Sequence, residues 1–176
     1  MMPHFVSVTT PSCINDKLLQ YESNFQNLNA HVKHRPLRSG DSNYLPYVGN
    51  GYFGVSDSEA DQNLFISGSG QTRTLSVPVQ YKPVVHVTSN EFENHQSAKM
   101  VNYAQGFIQE FMCFEDSDDT SKKDISVSRQ IFAHRSIPEI LVQEIKIHNP
   151  SGKDQFFRTE RLGISNWPSA ISREKM

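Results

Sequence analysis

Ile125-Ser126-Val127-Ser128-Arg129-Gln130-Ile131-Phe132-Ala133 and, beyond a short connector, Ile140-Leu141-Val142-Gln143-Glu144-Ile145-Lys146-Ile147-His148 decide how this chain is read. Both runs are rich in β-branched residues, which fit a pleated surface, and their apolar side chains recur with the two-residue period of a half-buried strand. The connector His134-Arg135-Ser136-Ile137-Pro138-Glu139 carries the Pro and polar residues of a turn.

The same texture extends outward from this pair. From Tyr44 onward no helical period is present, and short runs rich in Val, Ile, Phe and Tyr are punctuated by Gly, Asn, Asp, Ser and Pro. Strands are predicted at 52–56, 63–67, 79–88, 101–114, 125–133, 140–148 and 155–162. Asn50-Gly51 and Ser67-Gly68-Ser69-Gly70 supply residues that tolerate positive φ at turns. Pro78 and Pro83 fall within one run, so that strand must be at an edge, bulged or broken. Glu115-Asp116-Ser117-Asp118-Asp119-Thr120-Ser121-Lys122-Lys123-Asp124 has nothing apolar to bury and reads as a solvent loop; it lacks the ligand spacing, central Gly and distal Glu of a calcium-binding loop. Several strands in succession without βαβ alternation predict an all-β fold, an antiparallel β-sandwich over residues 44–163.

Before the sandwich, Ile14, Leu18, Tyr21, Phe25 and Leu28 recur at helical spacing, which predicts one amphipathic helix over 12–29. Residues 1–11 are expected to be disordered, 30–43 to form a basic linker, and 164–176 to be a truncated C-terminal segment.

At 176 residues the chain is long enough for one sizeable core. A formal charge of −2 argues against an electrostatic nucleic-acid binder. No run approaches the roughly 20 apolar residues of a transmembrane helix, and the opening Met1-Met2-Pro3-His4 lacks a signal peptide's basic start. Cys13 and Cys113 are the only cysteines; they are either two buried thiols or a disulfide tying the N-terminal helix to the sheet, and a disulfide requires an oxidising compartment.

Motifs that carry chemistry are thin. Gly49-Asn50-Gly51-Tyr52-Phe53-Gly54 contains GxGxxG, but no helix follows to aim N–H groups at a pyrophosphate. Gly68-Ser69-Gly70 is too short for a nucleophile elbow. His31 and His34 lie three apart without further ligands, and His134 has no assignable partner. Glycoside cleavage needs two carboxyl groups flanking the bond; Glu91/Glu93 and Glu139/Glu144 are the obvious pairs, and a charged solvent face explains them equally. No catalytic residue, metal ligand or cofactor is assigned.

Two segments carry a resemblance. Leu45-Pro46-Tyr47-Val48-Gly49-Asn50-Gly51-Tyr52-Phe53-Gly54 resembles the "GNGYxG" opening of the N-terminal sandwich in glycoside hydrolase family 65, which includes maltose and trehalose phosphorylases. Arg129-Gln130-Ile131-Phe132-Ala133-His134-Arg135 is similar to that domain's "R-x-x-F-A-S-R" strand. The order and spacing of these motifs, with the Ser12-Cys13 helix start and Ile145-Lys146-Ile147-His148-Asn149-Pro150, more closely resemble an animal family of single-pass membrane proteins with a large lumenal domain of unknown function. The resemblance implies an incomplete, super-sandwich-like β domain, non-catalytic, carried on the lumenal or extracellular side of a membrane-anchored protein. Its implied partners are a protein or glycan and the rest of its own polypeptide, with no nucleic acid. The other reading is the accessory domain of a glycoside hydrolase or phosphorylase whose catalytic barrel lies elsewhere. Gly49, Asn50, Gly51 and Gly54 carry over as turn architecture. Sandwiches of this type run longer than 176 residues, so unpaired edge strands and low solubility are expected.

Overall fold

The computed structural model describes residues 12–39, 41, 46–57, 63–67, 74–80, 85–88, 96–114, 124–150, 152 and 154–161. Within them the protein is mostly antiparallel β-sheet. The strands are β1 (Ala30–Arg35), β2 (Tyr47–Gly49), β3 (Phe53–Ser56), β4 (Asn63–Ser67), β5 (Thr74–Gln80), β6 (Val85–Thr88), β7 (Gln96–Asn102), β8 (Phe107–Phe114), β9 (Ile125–Ala133), β10 (Leu141–His148) and β11 (Arg158–Arg161). They form a five-stranded sheet in the order β1-β7-β8-β9-β10, a four-stranded sheet β2-β3-β4-β5 and a two-stranded sheet β11-β6.

The large sheet is buried on both faces, and residue parity shows how. Val101, Ile108 and Ile131 point to one side, where Val48 and Val55 of the four-stranded sheet meet them with Phe53 and Leu141 at the margin. On the same side Met112, Phe114, Ile125 and Val127 form a second cluster against Ile145 and Phe157. The alternate residues face the helices: Ala98, Phe111 and Cys113 pack on Ile14 with Leu18 and Tyr21 beside them. Ala30, Met100 and Phe107 pack with Tyr21, Phe25 and Phe132. Because successive strand residues point to opposite faces, a one-residue slip would exchange these cores, and register is held tightly.

Several expectations are corrected. The single helix over 12–29 is two helices, α1 (Ser12–Leu19) and α2 (Glu22–Gln26), joined at Gln20-Tyr21. Ile14, Leu18, Tyr21 and Phe25 do form the apolar stripe, but Leu28 has φ of 56° and is 75% exposed, so the helical period ends before it. Part of the basic linker over 30–43 is β1, paired along its length to β7, because Ala30 and Val32 fill the core beneath the helices. The strand expected over 101–114 is the hairpin β7–β8, turning through Tyr103 to Gly106, where Gly106 has φ of +71°. The Pro78 run does lie at an edge: β5 ends the four-stranded sheet, its pairing with β4 shifts register at Asn63/Leu64, and β6 belongs to another sheet. Residues 1–11 and 162–176, most of the acidic segment, Glu91, Glu93 and His95 lie outside the described residues.

The structure bonds Cys13 to Cys113, with Cα atoms 6.3 Å apart, so the start of α1 is joined to β8 across 100 residues of sequence.

Candidate functional site

Three turns meet where the two main sheets come together, and they are fastened to one another. In the first, the β2–β3 turn, the Asn50 side-chain oxygen accepts the N–H groups of Tyr52 (3.0 Å) and Phe53 (3.1 Å), while Gly51 takes φ of +91°. That conformation suits glycine because it has no Cβ to collide with the following carbonyl. Gly54 is required for a different reason: a Cβ there would lie 1.8 Å from the Tyr47 hydroxyl, because the Tyr47 ring crosses it. Burial under this crossing pushes the Tyr47 phenol above its ordinary value of 10.0.

The second turn joins β7 to β8. Asn102, fully buried, accepts the Gln105 N–H on its side-chain oxygen (3.0 Å) and donates to the Gln105 side chain (3.1 Å). The third is the connector between β9 and β10. Here His134 Nδ1 accepts the N–H groups of Ile137 (2.9 Å) and Ser136 (3.2 Å), which leaves the ring proton on Nε2. The Asn50 amide donates to the carbonyls of His134 (2.9 Å) and Pro138 (3.0 Å), and Arg135 donates to the Gln105 carbonyl (3.1 Å). Both stretches that carried the family resemblance are therefore joined through one asparagine side chain.

Two recesses open at this end and share Gly106. The larger, about 660 Å³, is lined by Tyr21, Phe132 and a polar set that includes Gln105, Gln130, His134 and Arg135. Burial raises the Tyr21 phenol above 10.0, partly offset by the Lys146 charge. The smaller, about 360 Å³, has a glycine-rich wall from Gly49, Gly51 and Gly54 and is flanked by Tyr47, Tyr52 and Tyr103. Tyr52 is 64% and Tyr103 52% exposed. The Tyr103 ring is backed edge-on by the His31 imidazole, ring centres 5.7 Å apart.

Beneath this end, between the sheets, runs a row of charges. Register places Lys99 (β7) opposite Glu110 (β8), and Glu110 opposite Arg129 (β9). Asp57, just after β3, drops into the row: its Oδ2 accepts from Lys99 Nζ (2.9 Å) and Arg129 Nη2 (3.0 Å). Arg129 also pairs with Glu110; it is 3% exposed, and its Nη1 has no hydrogen-bond partner among the described residues.

The candidates read from sequence are dispersed. Gly49, Asn50, Gly51 and Gly54 come together in the first turn. His31 meets Tyr103 edge-on, His34 pairs with Asp41 (2.7 Å), and His134 holds its own turn. Glu144 pairs with Lys146 on β10, and Glu139 lies in the exposed connector. Among the described residues no group of three or more His, Cys, Asp or Glu side chains could hold a metal ion, and no helix is long and apolar enough to cross a membrane. The exposed tyrosines and the charged row escaped sequence reasoning. The available signal was parity: Arg129 falls at the inward positions of Ile125, Val127 and Ile131, and Glu110 at those of Ile108 and Met112.

The fold and this end of it define a disulfide-closed, mostly antiparallel β domain with a recessed, tyrosine-flanked turn cluster. The chain belongs to the family described as "Uncharacterized conserved protein (DUF2152)", whose model matches residues 3–171. It is 31% identical over 107 residues to a protein of Xenopus tropicalis named "Uncharacterized protein KIAA2013 homolog". That match covers 60% of this chain and 17% of the frog protein, so the chain spans only a small part of its relative's length. No solved structure matches.

Proposed function

We propose that this domain is a non-catalytic recognition module of a membrane-anchored protein, held on the lumenal or extracellular side, and that its turn end binds glycans. The observation that carries the reading is the smaller recess, with Tyr52 and Tyr103 exposed beside glycine-rich backbone. A pyranose ring offers an apolar C–H face to an aromatic ring and a rim of hydroxyls to amide, imidazole and guanidinium groups. Those groups stand in the turns around the adjoining recess as Gln105, His134 and Arg135. The Asn50 and Arg135 hydrogen bonds fix the three turns before any ligand arrives, which reduces the ordering cost of binding. Among the described residues neither recess is lined by an Asp or Glu, which favours binding over glycoside cleavage. The Cys13–Cys113 bond supports an oxidising compartment, and the resemblance to a lumenal domain agrees with it.

Titration with neutral and acidic oligosaccharides, followed by tyrosine fluorescence and protein NMR shifts, tests the reading. Saturable binding is expected, weakened about fivefold by Tyr52→Ala and similarly by Tyr103→Ala, with little change in unfolding temperature because both rings are largely in solvent. The proposal fails if no oligosaccharide on a broad array binds saturably, or if binding ignores both substitutions.

A further inference from the structure

We infer that the glycan taken by this turn end is an acidic one, whose carboxylate is held by the Arg135 guanidinium where the two recesses join. The inference rests on the glycan reading and names the class of sugar. Gly106 is common to both recesses, and a Cβ built on it would lie 3.6 Å from Arg135 Nη2. The guanidinium therefore stands within van der Waals reach of the boundary between the larger recess, which Arg135 lines, and the tyrosine-flanked one.

Its place is fixed by the turn beneath it. Gly106 donates its N–H to the Asn102 carbonyl (2.8 Å), the buried Asn102 side chain accepts the Gln105 N–H (3.0 Å), and the Gln105 carbonyl accepts from Arg135 Nη2 (3.1 Å). A backbone carbonyl positions the cation without neutralising it. A guanidinium has five N–H groups in a planar fork, and Gln105 takes one of them, so an edge is left for a second acceptor. Two parallel hydrogen bonds to a planar carboxylate suit such an edge.

The charges around Arg135 leave it without a counter-ion. Among the described residues that line the two recesses it is the single formally charged side chain, and no carboxylate pairs with it. Glu139 in the same connector, and Glu144 and Lys146 on β10, line neither recess, and the last two pair with each other. Between the sheets Lys99 and Arg129 are matched by Asp57 and Glu110. A recess lined by one sign of charge draws the opposite sign. In a uronic or sialic acid the carboxylate projects from the ring, so a ring laid against Tyr52 or Tyr103 can turn it toward Gly106 and Arg135. A sulfate, with three oxygens to satisfy, would call for further Lys or Arg, and none lines either recess among the described residues.

The test is isothermal titration of the whole chain with a glucuronic acid oligosaccharide, its glucose counterpart, its methyl ester and a sulfated analogue, and with sialylated lactose against lactose. At least one carboxylate sugar should bind about tenfold tighter than its neutral counterpart, with a preference that shrinks as salt is added. Arg135→Gln should bring acid and neutral sugar to the same affinity, and Arg135→Lys should keep part of the preference, having the charge without the fork. The unfolding temperature checks each variant, and the ester comparison needs no variant at all. Equal affinity for acid and neutral sugar, a preference that survives Arg135→Gln, or tighter binding of the sulfated analogue overturns the inference and leaves the glycan reading standing. A preference lost in Arg135→Gln but indifferent to Tyr52→Ala and Tyr103→Ala upholds the anion site and removes the reading built on the tyrosines. Failure of every sugar to bind removes both.

Discussion

Single side chains hold the loops of this domain, and Asp41 shows how much one carboxylate can do. It accepts the His34 N–H at 2.8 Å, the Arg38 N–H at 2.9 Å and the His34 ring at 2.7 Å. Burial pushes the Asp41 carboxyl up, but the hydrogen bonds from Arg38 and His34, with the His34 charge, outweigh it and hold the group below its ordinary 3.8. A carboxylate whose folded pKa is depressed stabilises the fold above its unfolded value, and that contribution disappears as pH falls through the folded value. Asp41→Ala should therefore cost about 2 kcal/mol near neutral pH, and the gap from the unmodified protein should close below pH 3.8, as measured by urea unfolding at several pH values. A gap that stays constant into acid would show that Asp41 acts only by packing. Asn50 works in the same local way but over a longer reach, its amide bonding a carbonyl 84 positions away. The Asn-Gly pair was readable as a turn because its chemistry is local; the loop it fastens was not, since nothing near Asn50 encodes the position of Pro138.

At the scale of elements the central problem is a row of ions between two apolar clusters. Lys99, Glu110, Arg129 and Asp57 tie β7, β8, β9 and the end of β3 together, with Arg129 bonded to both carboxylates. Removing one partner of a buried pair leaves the others uncompensated, typically at about 3–5 kcal/mol. Arg129→Leu should fall in that range in urea denaturation, and its cost should not add to that of Asp57→Ala because each exposes the same loss. Strict additivity would mean that the row is not one unit. β4 and β9 coincide with their predicted bounds because their apolar runs are bracketed by polar segments. β7 and β8 merged into a single expected strand because Tyr103-Ala104-Gln105 looks strand-compatible, and the turn is set by Asn102 and Gly106 instead. β1 was taken for a linker because His31, Lys33, His34 and Arg35 mask the two small apolar residues that face the core. The site was less readable than the fold: its glycines announced a turn, but the tyrosines beside it gain meaning only when Tyr52 and Tyr103, from different strand pairs, meet at one recess.

Among the described residues the layers are unequal: two sheets share a wide apolar contact, whereas the helical layer is α1 and α2, eight and five residues long. Helices that short are marginal alone and depend on what they pack against. Ile14, Leu18, Tyr21 and Phe25 supply that packing, and the Cys13–Cys113 bond holds α1 over β8 where it can form. Closing a loop of 100 residues restricts the unfolded chain by up to about 4–5 kcal/mol in the chain-entropy description. Cys13→Ser should therefore lower stability by about 2–5 kcal/mol, lowering the unfolding temperature by roughly 5–15 °C, and hydrogen exchange should quicken first along α1 and α2 while β8 and β9 stay protected. Uniform loss of protection would mean that the bond supports the sheets as much as the helices. The same bond tests placement: protein isolated from its native cells with thiols blocked at lysis should migrate as the oxidised form on a non-reducing gel. A fully reduced chain would remove the physical support for a lumenal or extracellular position, because the bond that fastens the helical layer would then be absent where the protein works.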